Sequence, residues 1–406
     1  MSHLLLILLC MASLVYPAAG LGGEPAKNII FMVPDGMGLA QVTAARIFKN
    51  GPGGAPLALE TLERVGYQRT YSKNSTVTDS AAAASAWACG EKFNNGEVCF
   101  HRETGSYSPT ILELAKGMGK ATGLVVTSQI TDATPASFAA HVANRKCQNE
   151  IGRQYIQVVR PHVILGGGRW KMDADPATDG DSPGCPIYGK DLEEEAARTG
   201  YRVVHTGKEL EEALNEGPRE ILGLFSNEGM TPAYKRTPET TEPSLAEMTR
   251  AALTVLEKER KGFFLLVEGS QVDWANHENN LAYQVPEILA FDEAVRAVLE
   301  WVSADRLRKK NTLVIIAPDH DTGGFAINGP QKSLSTKGDL STIESGWTSK
   351  RHTGGDVPLW SVGPGSEWLG RALDNTDLYG VMKRAMTVPA LNHKSRDKKR
   401  GRPAAR

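Results

Sequence analysis

Three continuous apolar runs limit what this chain can fold into. They are NIIFMV (28–33), FFLLV (263–267) and TLVIIA (312–317). None alternates with polar residues, so each predicts a strand covered on both faces. ATGLVVTS (121–128) and VILGGG (163–168) add two more strands, the second meeting a glycine turn. Helical patterns lie between them. Thr110–Lys120 is one, and Leu245–Lys261 is a second, stopped by Gly262 just before FFLLV. Ile288, Phe291, Val295, Val298 and Val302 mark one face of a third, long helix by their spacing. Strand and helix in alternation predict an α/β fold, with a large central, mostly parallel sheet and helices on both faces.

The residues just beyond the apolar runs are as informative as the runs. Asp35 comes after the first, Glu268, Asp273 and His277 after the second, Asp319 and His320 after the third. Ligands of open α/β sheets gather at the carboxyl ends of the strands. An aspartate after a strand is often only a helix cap. The weight comes from acids and imidazoles taking this placement at three strands, as a multi-metal centre requires. Asp273 and His277 are four apart and share one face if the segment is helical. Asp319 and His320 are adjacent and diverge unless a loop turns them. Carboxylate with imidazole suits zinc, and carboxylate with hydroxyl suits magnesium.

A serine completes the picture. In TVTDSAAAASAWACG (76–90), Ser80 precedes small residues with good helix propensity. It then sits at a helix N-terminus, where free N–H groups and the dipole favour an anion. The plain alternative is an N-cap serine. A nucleophilic serine needs activation. No GxSxG elbow is present, and a metal is the natural activator.

The chain has 406 residues and a formal net charge of -1, so nothing global points to nucleic acid. Leu4–Val15 is apolar and ends in Tyr16-Pro17-Ala18-Ala19-Gly20, which reads as a secretory signal over 1–20 rather than a membrane span. A signal of this kind implies export, to a periplasm or the medium. The tail 389–406 is basic and expected to be disordered. Cys89, Cys99, Cys147 and Cys185 remain after the signal, and four cysteines allow three full pairings.

These segments together resemble the alkaline phosphatases. VPDGMG (33–38) is similar to the family's first metal motif and TVTDSAAAASAWACG to its nucleophile signature. TDATPASFAAHVANRKC (131–147) is similar to the segment bearing a magnesium ligand and the phosphate-binding arginine. VEGSQVDWANH (267–277), APDHDTGG (317–324) and RHTGG (351–355) match the remaining metal segments. Six motifs stand in family order, from about Asn28 to about Pro364.

The resemblance implies a single catalytic domain over 21–388 and hydrolysis of phosphate monoesters of broad structure at alkaline pH. It implies a phosphoserine intermediate on Ser80, two Zn2+ and one Mg2+, no nucleic-acid partner and a homodimer. By position, Asp35, Asp319 and His320 would hold the zinc beside Ser80. Asp273, His277 and His352 would hold the second. Asp35, Thr134 and Glu268 would bind magnesium, with Asp132 behind it through water. Arg145 would clamp the phosphate, Asp79 would position Ser80, and His141 would support structure. Cys99 and Cys147 would form a disulfide, leaving Cys89 a buried thiol. Trp274 stands where some relatives carry lysine or histidine, and the short span from His320 to His352 lacks the large insert of vertebrate-type relatives. A sulfatase is disfavoured, since no Cys-x-Pro-x-Arg motif occurs.

Overall fold

The computed structural model describes residues 25–173 and 185–387. The expected signal over 1–20, the turn-rich loop beyond Asp173 and the basic tail 389–406 lie outside the described residues.

The strands in chain order are β1 (Asn28–Pro34), β2 (Arg64–Arg69), β3 (Ala121–Gln129), β4 (Val163–Gly167), β5 (Arg202–Val204), β6 (Ile221–Leu224) and β7 (Phe263–Gly269). After them come β8 (Thr312–Ile316), β9 (Asp321–Thr322), β10 (Phe325–Gly329), β11 (Glu344–Trp347), β12 (His352–Thr353), β13 (Val357–Val362) and β14 (Ala372–Asp374). Ten of these form one sheet in the order β14-β2-β13-β8-β1-β7-β3-β4-β6-β5. Only β13 runs against its neighbours, β2 and β8. The mostly parallel α/β sheet expected from the sequence is what forms, and its three apolar runs are the central strands β8, β1 and β7.

Alternation along β1 explains why both faces are covered. Ile29, Phe31 and Val33 join a core with Trp87, Phe138 and Leu378. Ile30 and Met32 join the opposite core with Ile288, Phe291 and Val295. The Phe31 ring lies 5.1 Å from Trp87 and 5.8 Å from Phe138. Each such buried ring contributes roughly 1.5–3 kcal/mol. The helix Ser80–Cys89 is buried on every side, so its residues are small except Trp87. Trp87 Nε1 donates to Gln68 Oε1 at 2.9 Å, and Gln68 Nε2 donates to the Pro318 carbonyl at 2.7 Å. Those two bonds tie the helix Ser80–Cys89 through β2 to the loop carrying Asp319.

Some boundaries differ from the sequence reading. The helix from Leu245 stops at Leu256, not Lys261. Glu257–Lys261 offer no apolar side chain to hold against the sheet, so they turn instead. The helix expected over Thr110–Lys120 is Ile111–Gly117, capped by Thr110 with Glu113 in a capping box.

The disulfide expectation is corrected. Cys147 is bonded to Cys185, not to Cys99. Cys147 opens the helix Gln148–Gln154, whose Asn149 Oδ1 accepts from the Tyr188 N–H at 2.9 Å and so holds the 185–188 segment alongside. Cys99 is buried, and its sulfur faces Cys89 and the Ser137 carbonyl.

The long helix Leu281–Ser303 supports the site from behind. Its Gln284 donates to Asn276 Oδ1 at 2.7 Å, and its Tyr283 hydroxyl donates to Gln271 Oε1 at 2.7 Å. Both partners sit on the helix Gln271–His277. One turn on, Glu287 accepts from the Ala233 N–H at 2.6 Å and is only 5% exposed. Burial pushes its carboxyl up to about 7, against the pull of the Ala233 N–H and Arg236. A raised folded-state value makes the protonated acid stabilising. That stability is full below the unfolded value near 4.3 and is lost as pH rises through about 7. Glu287→Gln keeps the acceptor without the charge. The variant is expected to gain about 1–3 kcal/mol on the parent between pH 5.5 and pH 9, read by urea unfolding. A gap that stays constant with pH would refute this.

Candidate metal centre

The expected residues converge above the carboxyl ends of β1, β7, β8 and β3. Asp35 follows β1 directly, and Glu268 lies at the end of β7, in register with Val33. Gly36 makes the turn after Asp35 with φ of 69°. Its N–H donates to Asp319 Oδ1 at 2.9 Å, and its carbonyl accepts from Asn276 Nδ2 at 2.8 Å. A Cβ there would lie 2.7 Å from Asp273 Oδ1 and 2.9 Å from Asp273 Cα. Only glycine lets the Asp35 turn approach Asp273 so closely.

Asp79, not Ser80, is the N-cap of the helix Ser80–Cys89, accepting from the Ala82 N–H at 3.0 Å. The Ser80 hydroxyl is thereby spared the capping role. Its Oγ lies 3.3 Å from His320 Nε2. That same nitrogen lies 3.0 Å from Asp319 Oδ2 and 3.7 Å from Asp35 Oδ1. The loop after β8 therefore turns Asp319 and His320 toward one point, helped by the His320 N–H donating to Asp319 Oδ1 at 3.0 Å.

The histidine tautomers are set by what their other nitrogen meets. His277 Nδ1 is 2.7 Å from the Lys350 carbonyl, and His352 Nδ1 is 2.9 Å from the Thr78 carbonyl. A carbonyl only accepts, so both Nδ1 atoms carry the proton. Both Nε2 atoms then point at shared space 3.1 Å apart. Asp273 Oδ2 lies 3.2 Å from His277 Nε2, and Asp273 Oδ1 lies 3.6 Å from His352 Nε2. The helix Gln271–His277 does place Asp273 and His277 on one face. Thr322, missed in the sequence reading, donates to Asp273 Oδ1 at 2.5 Å and lies 3.2 Å from His320 Nδ1. Its hydroxyl thus accepts the His320 Nδ1–H and leaves Nε2 for the site. Its position within APDHDTGG was the available signal.

Without a cation this cluster is electrostatically unbalanced. Burial, with Asp319, Asp273 and Glu268 close by, drives the Asp35 carboxyl well above the usual range. Burial and Asp132 push Glu268 up to about 8 despite the neighbouring Ser270 and Thr134 hydroxyls. Burial and His320 push His352 down to about 4, while the Asp273 hydrogen bond lifts His277 up to about 9. Among the described residues Asp35 Oδ1, Glu268 Oε2 and Thr134 Oγ1 are buried without a hydrogen-bond partner. Buried polar atoms of that kind are costly unless something positive reaches them. Two trios, Asp273–His277–His352 and Asp35–Asp273–His320, bring ligand atoms within 4.8 Å of one another. Nitrogen and carboxylate donors at the trios suit zinc, and the oxygens of Glu268 and Thr134 suit a harder ion.

Arg145 flanks the site. Its guanidinium reaches Asp79 Oδ2 at 3.2 Å and Asp132 Oδ1 at 2.9 Å. Asp132 also caps the helix Ala133–Ala139, which starts one residue before Thr134. Trp274 packs on the 226–231 loop, so tightly that a Cβ on Gly229 would come within 2.3 Å of its ring. His141 stays structural, contacting the Cys99 carbonyl at 2.9 Å and Glu113 at 3.1 Å.

The alkaline phosphatase family model matches residues 26–343, most of the chain. The chain belongs to the alkaline phosphatase family. It is 34% identical to an alkaline phosphatase of Escherichia coli over 90% of this chain and 87% of that protein. It is 34% identical to a streptomycin-6-phosphate phosphatase of Streptomyces griseus, covering 90% and 91%. Among solved structures it resembles the alkaline phosphatase of the Antarctic bacterium TAB5, with TM-score 0.75, 28% identity and 90% and 99% coverage. The Thermus thermophilus alkaline phosphatase gives TM-score 0.76, 28% identity and 91% and 93% coverage. A variant of the TAB5 enzyme is solved with Mg bound in the M3 site. As a member of this family the chain is an enzyme, a phosphoric monoester hydrolase.

Gly36→Ala is expected to push Asp273 off both trios. After loading with divalent metal and dialysis against buffer the variant should retain less than half of what the parent retains, with its melting temperature lowered by several degrees. Parental metal retention would contradict the role given to the turn.

Proposed function

We propose that the chain hydrolyses phosphate monoesters at alkaline pH through a phosphoserine on Ser80. The observation that carries the reading is the Ser80 hydroxyl, freed from capping and 3.3 Å from His320 Nε2, with Arg145 beside it on Asp79. Asp35, Asp319 and His320 would hold one zinc. Asp273, His277 and His352 would hold the other. Asp35, Thr134 and Glu268 would hold magnesium, with Asp132 behind it. Bound there, the cations supply Lewis acidity that lowers the pKa of a hydroxyl or water and neutralises charge on phosphoryl oxygens.

The chain's own residues do the rest. Ser80 Oγ forms a bond to phosphorus as the ester oxygen departs with the alcohol. In the second half a water oxygen forms that bond and Ser80 Oγ leaves, releasing inorganic phosphate. Arg145 offers a planar fork to the phosphoryl oxygens. It remains cationic, because Asp132 and Asp79 outweigh the burial that would lower it. Those carboxylates also hold the fork in place before substrate arrives. The contacts assigned here go to the phosphoryl group and not to the alcohol, so the leaving group is weakly restricted. Export fits the Cys147–Cys185 bond, since disulfides persist in oxidising compartments.

Ser80→Ala should lower turnover of p-nitrophenyl phosphate by roughly 10³-fold or more. Acid-quenched parent enzyme should carry label from 32P-phosphate on Ser80 and the variant none. Undiminished turnover would remove Ser80 from the mechanism. Arg145→Ala should lower kcat/KM for monoesters by about 10–100-fold, with a smaller loss on a diester. Equal losses on both would contradict a clamp specific to the terminal phosphoryl oxygens. Chelator should abolish activity, and zinc with magnesium should restore it.

A further inference from the structure

Cys89 is the last residue of the nucleophile helix Ser80–Cys89, and Cys99 lies at the end of the loop after it. Their sulfurs are 2.6 Å apart. Nonbonded heavy atoms pack at about 3.5–4.0 Å, and a disulfide bond is about 2.05 Å long. The two sulfurs therefore stand much nearer to bonding than to packing. Cys99 is held there from several sides. Its N–H donates to Ser85 Oγ at 2.9 Å, its carbonyl contacts His141 Nδ1 at 2.9 Å, and its φ is 42°. A side-chain-bearing residue adopts that backbone only when its surroundings impose it.

We propose that Cys89 and Cys99 are joined in a second disulfide, which clamps the far end of the nucleophile helix to the loop that positions Asp79 and Arg145. That loop contacts both residues. Asn95 Oδ1 accepts from the Asp79 N–H at 3.1 Å, and the Gly96 N–H donates to Asp79 Oδ2 at 3.0 Å. The Gly96 carbonyl accepts from the Arg145 N–H at 2.8 Å. The bond would close a ring running from Cys89 through this loop and back to the helix that begins at Ser80. The step is exchange with an external disulfide, oxidised glutathione or an oxidoreductase. Two cysteine thiols give one S–S bond, and the donor disulfide takes the two electrons and two protons to become two thiols. Cys89 is 8% exposed and Cys99 0%. Burial and the adjacent Cys99 also hold the Cys89 thiol well above its ordinary range, making it a poor nucleophile once packed. The exchange therefore belongs to folding, before the helix closes on the loop.

The test uses the full chain, in material whose Cys147–Cys185 bond is present. The protein is denatured without reductant in excess iodoacetamide and digested with trypsin, which cuts after Lys92 between the two cysteines. Mass spectrometry should find the Cys89 and Cys99 peptides linked and unalkylated. Alkylation of both, with Cys147–Cys185 intact, would overturn the proposal. The double variant Cys89→Ala with Cys99→Ala should melt about 3–6 °C lower. It should also raise KM for p-nitrophenyl phosphate more than it lowers kcat. An unchanged melting temperature and KM would overturn the clamp. The KM readout rests on the function proposed above. The mass and melting readouts do not, so failure of that function and failure of this bond are distinguishable.

Discussion

Everything at the centre of this molecule depends on buried carboxylates crowded against one another. Asp35, Asp273, Asp319 and Glu268 are each less than a tenth exposed. Three of them raise the Asp35 carboxyl further after burial has done so. In a medium of low polarity, like charges at this spacing cannot all ionise unless cations sit among them. The two imidazole nitrogens of His277 and His352 that face each other at 3.1 Å pose the same demand. The cluster thus calls for positive charge, and its geometry is the frame that would keep these side chains aimed at it.

The frame is made of ordinary strand and helix physics. β1 lies between β7 and β8, so three strand ends deliver acids to one place. Gly36 permits the close turn, and Asn276 ties that turn to the helix bearing Asp273 and His277. Backbone carbonyls of Thr78 and Lys350 orient two histidines, and Thr322 orients the third. Asp79 links the parts. It caps the Ser80 helix, holds Arg145 and accepts from the Gly96 N–H. Ser80, Arg145 and the clustered acids and histidines are therefore mechanically one unit.

Much of this was legible in the chain. Unbroken apolar runs gave the central strands, and the acids behind them marked the site. The spacing of Asp273 and His277 gave a shared helix face. Motif order added Thr134, Arg145 and His352, which no periodicity would have singled out. Other features had no sequence signal. Carbonyls that fix a tautomer belong to whatever residue happens to pass, so Thr78 and Lys350 carry no mark. The helix end at Leu256 depended on where apolar contact with the sheet ran out. The pairing of Cys147 with Cys185 depended on a loop docking against the helix Gln148–Gln154, which spacing along the chain does not encode. Resemblance to vertebrate-type relatives pointed Cys147 at Cys99, while packing turned Cys99 toward Cys89.

Metal content by elemental spectrometry on purified, fully active protein tests the central claim most directly. The account predicts about two zinc and one magnesium per chain, with turnover falling in proportion as zinc is withdrawn. A chain that keeps full turnover with well under one equivalent of any divalent metal would contradict it.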